Sequence, residues 1–365
     1  MKISIYDLSK NQTTILKGLG MIIIVLHNFL HWTNKIGENE FSFDPGRIFR
    51  FIDAVIHYDA WLIIGGSFSF WGFLGIEVFI FASAYGLTKQ FLKKKPASYK
   101  SYILPKLIKI YGLIIIGLVC YFMLMYRFNP ATTDRFPEFV ISSLLLYNNF
   151  SFDMIFSYPY IGPWWYFSFI IQLYLIFPLL YFIIDKYKKR GLYIMFAVSC
   201  ILIYALLPVC NKLNIPLFAN FIGHLPEFIL AIGFAMYKDW YIDYKTVLPA
   251  LCIFILSWFS EYFFPLSFVS ATILIIYFCH PIYNCSWKII QKPLLFVGGI
   301  SMFMFLINGP LRAYSLRYMY GKEQPEILLL TLIHLLITIV TSFVISVFYN
   351  NMISPHLNRL IKKVK

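Results

Sequence analysis

The chain has 365 residues, of which 60% are hydrophobic, 20% aromatic and only 13% charged. A soluble domain is about 45–50% apolar, so this composition excludes an ordinary soluble enzyme and indicates a protein embedded in a lipid bilayer. The net charge of +14 comes mainly from lysines that flank apolar runs. That placement is typical of cytoplasmic membrane loops and argues against a nucleic-acid partner.

Apolar runs long enough to cross a hydrocarbon core of roughly 30 Å recur along the whole chain. The candidates are 13–32, 61–87, 103–126, 138–150, 163–184, 192–210, 221–237, 247–264, 266–283, 294–318 and 327–352. They are continuous rather than alternating, which favours helices over the strands of a membrane β-barrel. The run at 138–150 is short for a crossing and predicts a re-entrant or interfacial segment.

The basic residues predict the orientation of the chain. With the N-terminus inside and 138–150 not crossing, the lysine clusters at 89–109 and 186–190 both fall on the cytoplasmic side. If 138–150 crossed, the cluster at 186–190 would lie outside. The sequence therefore predicts an all-α polytopic membrane protein with ten transmembrane helices, one short non-crossing segment and both termini in the cytoplasm. We expect a single domain over residues 1–365 and two long outer loops, 33–60 and 127–162.

The first apolar segment, KGLGMIIIVLHNFLHW (17–32), contains ionisable side chains, which are costly in lipid and mark candidate functional sites. Lys17 lies near the predicted cytoplasmic end, and His27 lies about 15 Å higher on nearly the same helix face. The alternatives are that Lys17 snorkels to lipid headgroups and that His27 makes a structural hydrogen bond between helices. His31 is expected to be an interfacial residue.

A second ionisable residue, Glu77, lies within GFLGIEVFIFASAYGL (72–87), beside several small residues that allow helices to approach closely. A buried carboxylate needs a partner, and a structural ion pair is the alternative to a catalytic role. The candidate partners are His27, Lys17 and Arg312.

Two further stretches carry polar residues in apolar surroundings. In PKLIKIYG (105–112), Lys106 and Lys109 share a helix face where a cytoplasmic loop meets the membrane, which suits either a phosphate-bearing ligand or lipid headgroups. In GPWWYFSFIIQLYLIFPLL (162–180), Ser168 and Gln172 share a face below several aromatic residues. That face suits sugar binding, whereas the aromatic residues also fit an interfacial belt.

In this order, the stretches resemble segments of acyltransferase family 3, integral membrane proteins that transfer acyl groups, usually acetyl, to sugars of surface glycans. GHLPEFILAIGFAMYK (223–238) and GGISMFMFLINGPL (298–311) are similar to two later segments of that family. The resemblance implies a cytoplasmic acyl-CoA donor, expected to be acetyl-CoA, and a sugar or lipid-linked glycan acceptor in the cell envelope. It also implies the inner (plasma) membrane of a bacterium as the location, with membrane lipids as partners. No permanently bound cofactor and no metal are expected.

The resemblance implies roles for individual residues. His27 would be the general base, because a histidine titrates near neutral pH, and Glu77 would orient or polarise it. The residues expected to hold the phosphates of the donor are Lys17, Lys106 and Lys109. Those expected to line the acceptor or thioester region are Trp165, Ser168, Gln172 and Asn308.

The chain departs from the family pattern at several positions. Asn28 occupies the strict place of the first histidine, Ile170 that of an acidic residue, and Asn308 that of a late histidine. These departures leave open a non-catalytic relative of the acyltransferases. A polysaccharide polymerase or a lipid-linked oligosaccharide transporter also stays open, because such proteins have ten or more helices and a long outer loop as well.

Overall fold

The structure is a computed structural model that describes residues 2–128, 136–156 and 162–364. The predicted outer loop 127–162 therefore lies partly outside the described residues. The described chain is 81% helical with few strands, which supports an all-α protein. A two-stranded antiparallel sheet pairs β1 (Ile3–Ser4) with β2 (Tyr241–Ile242).

The helices follow the apolar runs of the sequence. In chain order they are α1 (Lys10–Leu30), α2 (Pro45–Ile56), α3 (Ala60–Trp71), α4 (Ile76–Lys93), α5 (Tyr99–Phe128), α6 (Phe136–Leu144), α7 (Phe152–Phe156), α8 (Trp165–Lys212), α9 (Leu225–Met236), α10 (Tyr244–Leu256), α11 (Ser267–Phe278), α12 (His280–Tyr283), α13 (Lys288–Ser315), α14 (Gln324–Phe348) and α15 (Ser354–Val364). Short 3₁₀ turns at Gly72–Gly75, Gly162–Trp164, Leu217–Ala219, Phe221–His224, Phe264–Leu266 and Leu316–Met319 connect or extend them, and a π-helical turn, Tyr349–Ile353, joins α14 to α15.

All ten predicted spans fall on helices. Two of them, 163–184 and 192–210, lie on α8, which breaks at Lys188, where φ is 55°. Among the described residues, six helical segments are long and apolar enough to cross a bilayer, with α8 counted as one. The protein is therefore a helical membrane protein, whereas the ten crossings and the cytoplasmic termini remain predictions.

Two elements refine the predicted loops. The predicted outer loop 33–60 contains α2, which begins where the Asp44 side chain accepts a hydrogen bond from the Gly46 amide and Pro45 occupies the first turn. The predicted non-crossing segment 138–150 contains the end of α6. A helix of nine residues is about 14 Å long and cannot span the hydrocarbon core.

Helices α1 and α13 form the centre of the bundle because glycines let their backbones meet. A Cβ built on Gly18 would collide with the carbonyl oxygen of Leu294, and one on Gly298 with that of Thr14. The turn Gly72–Gly75 approaches α1 in the same way, since a Cβ on Gly75 would lie 2.8 Å from the carbonyl oxygen of Gly20. This close packing of small residues fixes the end of α1, where His27 lies.

Candidate active site

His27 lies in the last turn of α1 and is buried. Its Nδ1 is 3.1 Å from the carbonyl oxygen of Phe68 on α3. Because a carbonyl oxygen only accepts hydrogen bonds, Nδ1 carries a proton. Gly72 packs directly against the side chain, since a Cβ built on Gly72 would lie 2.6 Å from the Cβ of His27. The imidazole is thus held so that Nε2 faces away from α3.

The carboxylate beside His27 is Glu38, which comes from the loop between α1 and α2. Its Oε2 lies 2.9 Å from Nε2 of His27. The loop is held in place by the buried Asn39, whose side chain bonds both the amide and the carbonyl of Asp44. Arg47 also donates to Asn39 at 3.0 Å. A histidine paired with a carboxylate in this way is stabilised when it takes up a proton.

His31 is less buried than His27 and lies one turn further along. Its Nδ1 lies 3.0 Å from the carbonyl oxygen of His27 and 3.6 Å from Oε2 of Glu38. The two imidazole rings have their centroids 5.0 Å apart. His31 therefore belongs to the same group of side chains as His27 and Glu38, and its place at the membrane interface stays a prediction.

Two small cavities, of about 30 and 20 Å³, adjoin this group. Asn28, Glu40 and Trp165 line both of them, and the substrate-binding role of Trp165 stays a prediction. Arg312 lines the larger cavity and donates a hydrogen bond of 2.8 Å to the carbonyl oxygen of Asn28. The lining thus combines aromatic rings with an amide and a carboxyl group that can donate and accept hydrogen bonds.

The pKa values of the two carboxyl groups of the loop shift in opposite directions. Burial raises the pKa of Glu40 to about 8, and the charge of Glu38 adds to that rise. Burial also favours neutral Glu38, but His31 and His27 outweigh it and lower the pKa of Glu38 to about 2. At neutral pH, Glu38 is therefore ionised and Glu40 is protonated, which keeps two neighbouring carboxyl groups from repelling each other.

Glu77 is completely buried in the first turn of α4 and has a different partner from the one predicted. Its Oε1 lies 3.4 Å from Nδ1 of His224, and its Oε2 lies 3.1 Å from the hydroxyl of Thr272. His224 also contacts Glu227 at 2.6 Å. The carboxylate that touches His27 is thus Glu38, and Glu77 belongs to a second buried cluster.

Ser168 and Gln172 lie on α8 and bond to amide side chains. The Ser168 hydroxyl donates to Asn148 at 2.5 Å, and Gln172 donates to Asn149 at 3.3 Å. Asn149 is joined in turn to Asn220. In this structure the two residues fasten the segment that follows α6 to the bundle.

Asn308 is buried on α13, and its Oδ1 accepts a hydrogen bond of 3.0 Å from Nε2 of His334 on α14. The same imidazole contacts the Ser315 hydroxyl through Nδ1 at 3.1 Å. Asn308 is one turn of α13 away from Arg312, which lines the cavity of about 30 Å³. Asn308 therefore lies near the group around His27, linked to α14 through His334.

The lysines predicted to bind phosphates lie in two different parts of the structure. Lys106 and Lys109 both line a cavity of about 560 Å³ between the end of α4 and the start of α5, together with Lys93, Lys94 and Lys95. Lys106 also lies 3.8 Å above the ring of Tyr102. Lys17 lies on α1 and is not among the residues that line this cavity. The size of the cavity and its positive charge suit a ligand that carries phosphates.

Sequence reasoning missed several of these residues. Glu38 and Glu40 lie in a predicted outer loop, where carboxyl groups are ordinary and give no signal. His224 and Glu227 did offer one, because they are three residues apart at the start of an apolar helix and ionisable residues there are costly.

These features define a class of protein, a helical membrane protein with a histidine–carboxylate pair at one end of the bundle and a lysine-lined cavity at the other. The chain matches the family model of the acyltransferase domain over residues 12–350. It therefore belongs to acyltransferase family 3 and is an acyltransferase, which favours that interpretation over the polymerase and the transporter. No curated protein and no solved structure matches it.

Proposed function

We propose that the protein transfers an acetyl group from cytoplasmic acetyl-CoA to a hydroxyl group of a sugar in a cell-surface polysaccharide or lipid-linked glycan. In this proposal it acts in a bacterial inner membrane, with both termini in the cytoplasm. The observation that carries the proposal is the pair formed by Nε2 of His27 and Glu38, 2.9 Å apart beside cavities lined by aromatic and polar groups.

The hydrogen bonding of His27 suits a general base. Nδ1 keeps its proton because it faces the Phe68 carbonyl oxygen, so a neutral imidazole has its lone pair on Nε2. When Nε2 takes a proton, the ionised Glu38 stabilises the resulting positive charge. In Ser–His–Asp sites the stabilising carboxylate bonds the ring nitrogen opposite the base nitrogen. Here the Phe68 carbonyl oxygen faces that nitrogen, and we assign stabilisation of the charge to Glu38, instead of Glu77, from the side of Nε2.

The reaction follows from this assignment. Nε2 of His27 removes the proton of the sugar hydroxyl while its oxygen attacks the thioester carbonyl carbon. The tetrahedral intermediate then collapses, the carbon–sulfur bond breaks, and the proton on Nε2 passes to the thiolate of CoA. An ionised Glu38 only 2.9 Å from Nε2 requires a proton between the two atoms, so this proton must leave and Glu38 must withdraw before the sugar hydroxyl can reach Nε2.

The donor and acceptor approach this histidine from different ends. Gly72, just before α4, touches His27, whereas the C-terminal end of α4 lines the lysine cavity. The 18 residues of α4 span about 27 Å. The phosphates of acetyl-CoA would therefore bind Lys106 and Lys109 at the cytoplasmic end, with the thioester arm extended into the bundle.

The acceptor would enter from the opposite side, where Trp165 and Glu40 line the small cavities. A protonated carboxyl group both donates and accepts hydrogen bonds, which suits recognition of a sugar hydroxyl. The cavities are too small for a sugar ring in this structure, so binding requires the loop that carries Glu38 and Glu40 to open.

The test uses purified protein in detergent, radiolabelled acetyl-CoA, and the glycan fraction of cells that produce the protein. We expect His27→Gln to lower transfer of label by about 10²–10⁴-fold, the usual contribution of a general base, while label still binds. The exposed His57 offers a matched control, because His57→Gln should transfer at the wild-type rate. Transfer by His27→Gln at the wild-type rate would refute the assignment, and failure of the wild type to bind acetyl-CoA would refute the proposed donor.

A further inference from the structure

A second cluster of ionisable groups lies away from His27 and has no part in the proposed reaction. Glu77 from α4, His224 from the turn before α9, and Glu227 from α9 meet inside the bundle, and all three are buried. One potential ligand atom from each lies within 4.8 Å of the others. The cluster thus joins elements that are far apart in the sequence.

The hydrogen bonding of His224 shows that protons or a cation must lie between its Nδ1 and the two carboxylates. Nε2 lies 2.8 Å from the Phe218 carbonyl oxygen, so it carries a proton and donates it there. Nδ1 then faces Glu227 at 2.6 Å and Glu77 at 3.4 Å. A nitrogen lone pair and two carboxylates repel one another unless protons or a cation lie between them.

Two carboxyl oxygens of the cluster lack a hydrogen-bond partner among the described residues. They are Oε1 of Glu77 and Oε2 of Glu227, and both side chains are completely buried. A shared proton would satisfy the close contact between His224 and Glu227 but would leave these oxygens without a partner. A metal ion can take oxygens of both carboxylates as ligands and supply the missing positive charge.

We propose that Glu77, His224 and Glu227 bind one divalent cation of the zinc class. A histidine nitrogen with carboxylate oxygens is a donor set that Zn²⁺ accepts, and a ligating histidine usually donates its other N–H to a carbonyl or carboxylate oxygen, as His224 does here. Ligands around tetrahedral zinc are about 3.3 Å apart, given bonds of about 2.0–2.2 Å. The contact from His224 to Glu77 already matches, and that to Glu227 must lengthen by about 0.7 Å.

The position of the site indicates a structural role. The ligands connect α4 to α9, and the Thr272 hydroxyl beside Glu77 extends the cluster to α11. Helix α4 also follows the glycine turn that packs on His27. A bound cation would therefore hold these three helices together behind the candidate active site.

The first measurement is the metal content of the full-length protein, purified in detergent without chelator, by inductively coupled plasma mass spectrometry. We expect about one zinc ion per chain in the wild type and at least a fivefold lower content in Glu227→Gln. Glu38→Gln is the matched control, because Glu38 belongs to the other group of histidines and carboxylates, and it should keep the wild-type content. Loss of metal from Glu38→Gln but not from Glu227→Gln would overturn the proposal.

A second measurement remains informative if Glu227→Gln does not fold. The wild type is stripped with chelator, and its unfolding temperature is then followed as Zn²⁺ is added. A saturable rise in unfolding temperature is expected. Protein that is metal-free as purified and unchanged by added Zn²⁺ or Mn²⁺ would show that protons alone fill the cluster. Neither measurement uses acyl transfer, so the result is independent of the proposed function.

Discussion

Gly72 controls the position of His27, and its replacement by alanine gives a sharp test of the proposed mechanism. A Cβ at residue 72 would lie 2.6 Å from the Cβ of His27, about 0.8 Å short of ordinary contact at 3.4 Å. The backbone itself accepts alanine, because φ at Gly72 is −66°. The substitution therefore acts by displacing His27, by up to about 0.8 Å if the turn does not move.

A displacement of that size is large for catalysis. Misplacing a reacting group by about 1 Å can cost about 10²-fold in rate, so we expect Gly72→Ala to lower the turnover of acetyl transfer by about 10–100-fold. Overpacking of this kind also destabilises a fold by about 1–3 kcal/mol, so some loss of thermal stability is expected. The Michaelis constant for acetyl-CoA should change little, because the lysine cavity lies at the other end of α4.

The assay compares turnover and unfolding temperature for the wild type, Gly72→Ala and Gly86→Ala. Gly86 lies on α4, and a Cβ built there meets nothing within 4 Å, so Gly86→Ala should keep full turnover. If Gly72→Ala is as active as the wild type while remaining equally folded, then the position of His27 does not limit the reaction and the general-base assignment fails.

Two further predictions concern the buried polar groups. Asn149→Ala removes hydrogen bonds to the Ala219 carbonyl and to Asn220 and leaves buried polar groups unpaired. We therefore expect it to lower the free energy of unfolding by about 1–3 kcal/mol. If Asn149→Ala unfolds like the exposed control Asn358→Ala, this expectation is wrong. Glu40 has an ordinary pKa of 4.5 that rises to about 8 in the folded protein. Between these pH values the folded state binds a proton that the unfolded state has lost, so stability falls as pH rises and levels off above about 8. Glu40→Gln should flatten that loss in unfolding curves recorded from about pH 6 to about pH 9, and an unaltered pH profile would show that Glu40 is not the titrating group.

The helices could be predicted from the sequence because lipid imposes a simple rule. A bilayer requires about twenty apolar residues per crossing, and several of the runs in this chain end close to lysines. The basic cluster 186–190 predicted a break that the structure places at Lys188. The predicted loop 33–60 was less accurate, because an amphipathic helix such as α2 depends on contacts with the bundle rather than on apolar length.

The partners of the site residues were harder to predict than the residues themselves. His27, Trp165, Lys106 and Lys109 could be singled out because an ionisable or aromatic residue in an apolar run is a local signal, and the structure places them at cavities. Glu38 reaches His27 only because the loop folds back over the end of α1, and that folding depends on contacts such as those of Asn39 with Asp44. Long-range contacts of this kind leave no periodic pattern in the sequence.

The origin of Glu38 in a loop has a consequence for the chemistry. A carboxylate on a helix would be fixed beside the imidazole, whereas a loop can withdraw when the acceptor arrives. While Glu38 lies 2.9 Å from Nε2, neither a sugar hydroxyl nor water can bind that nitrogen. In the proposed mechanism, this contact would therefore keep His27 from acting as a base and protect the thioester from hydrolysis until an acceptor displaces the loop.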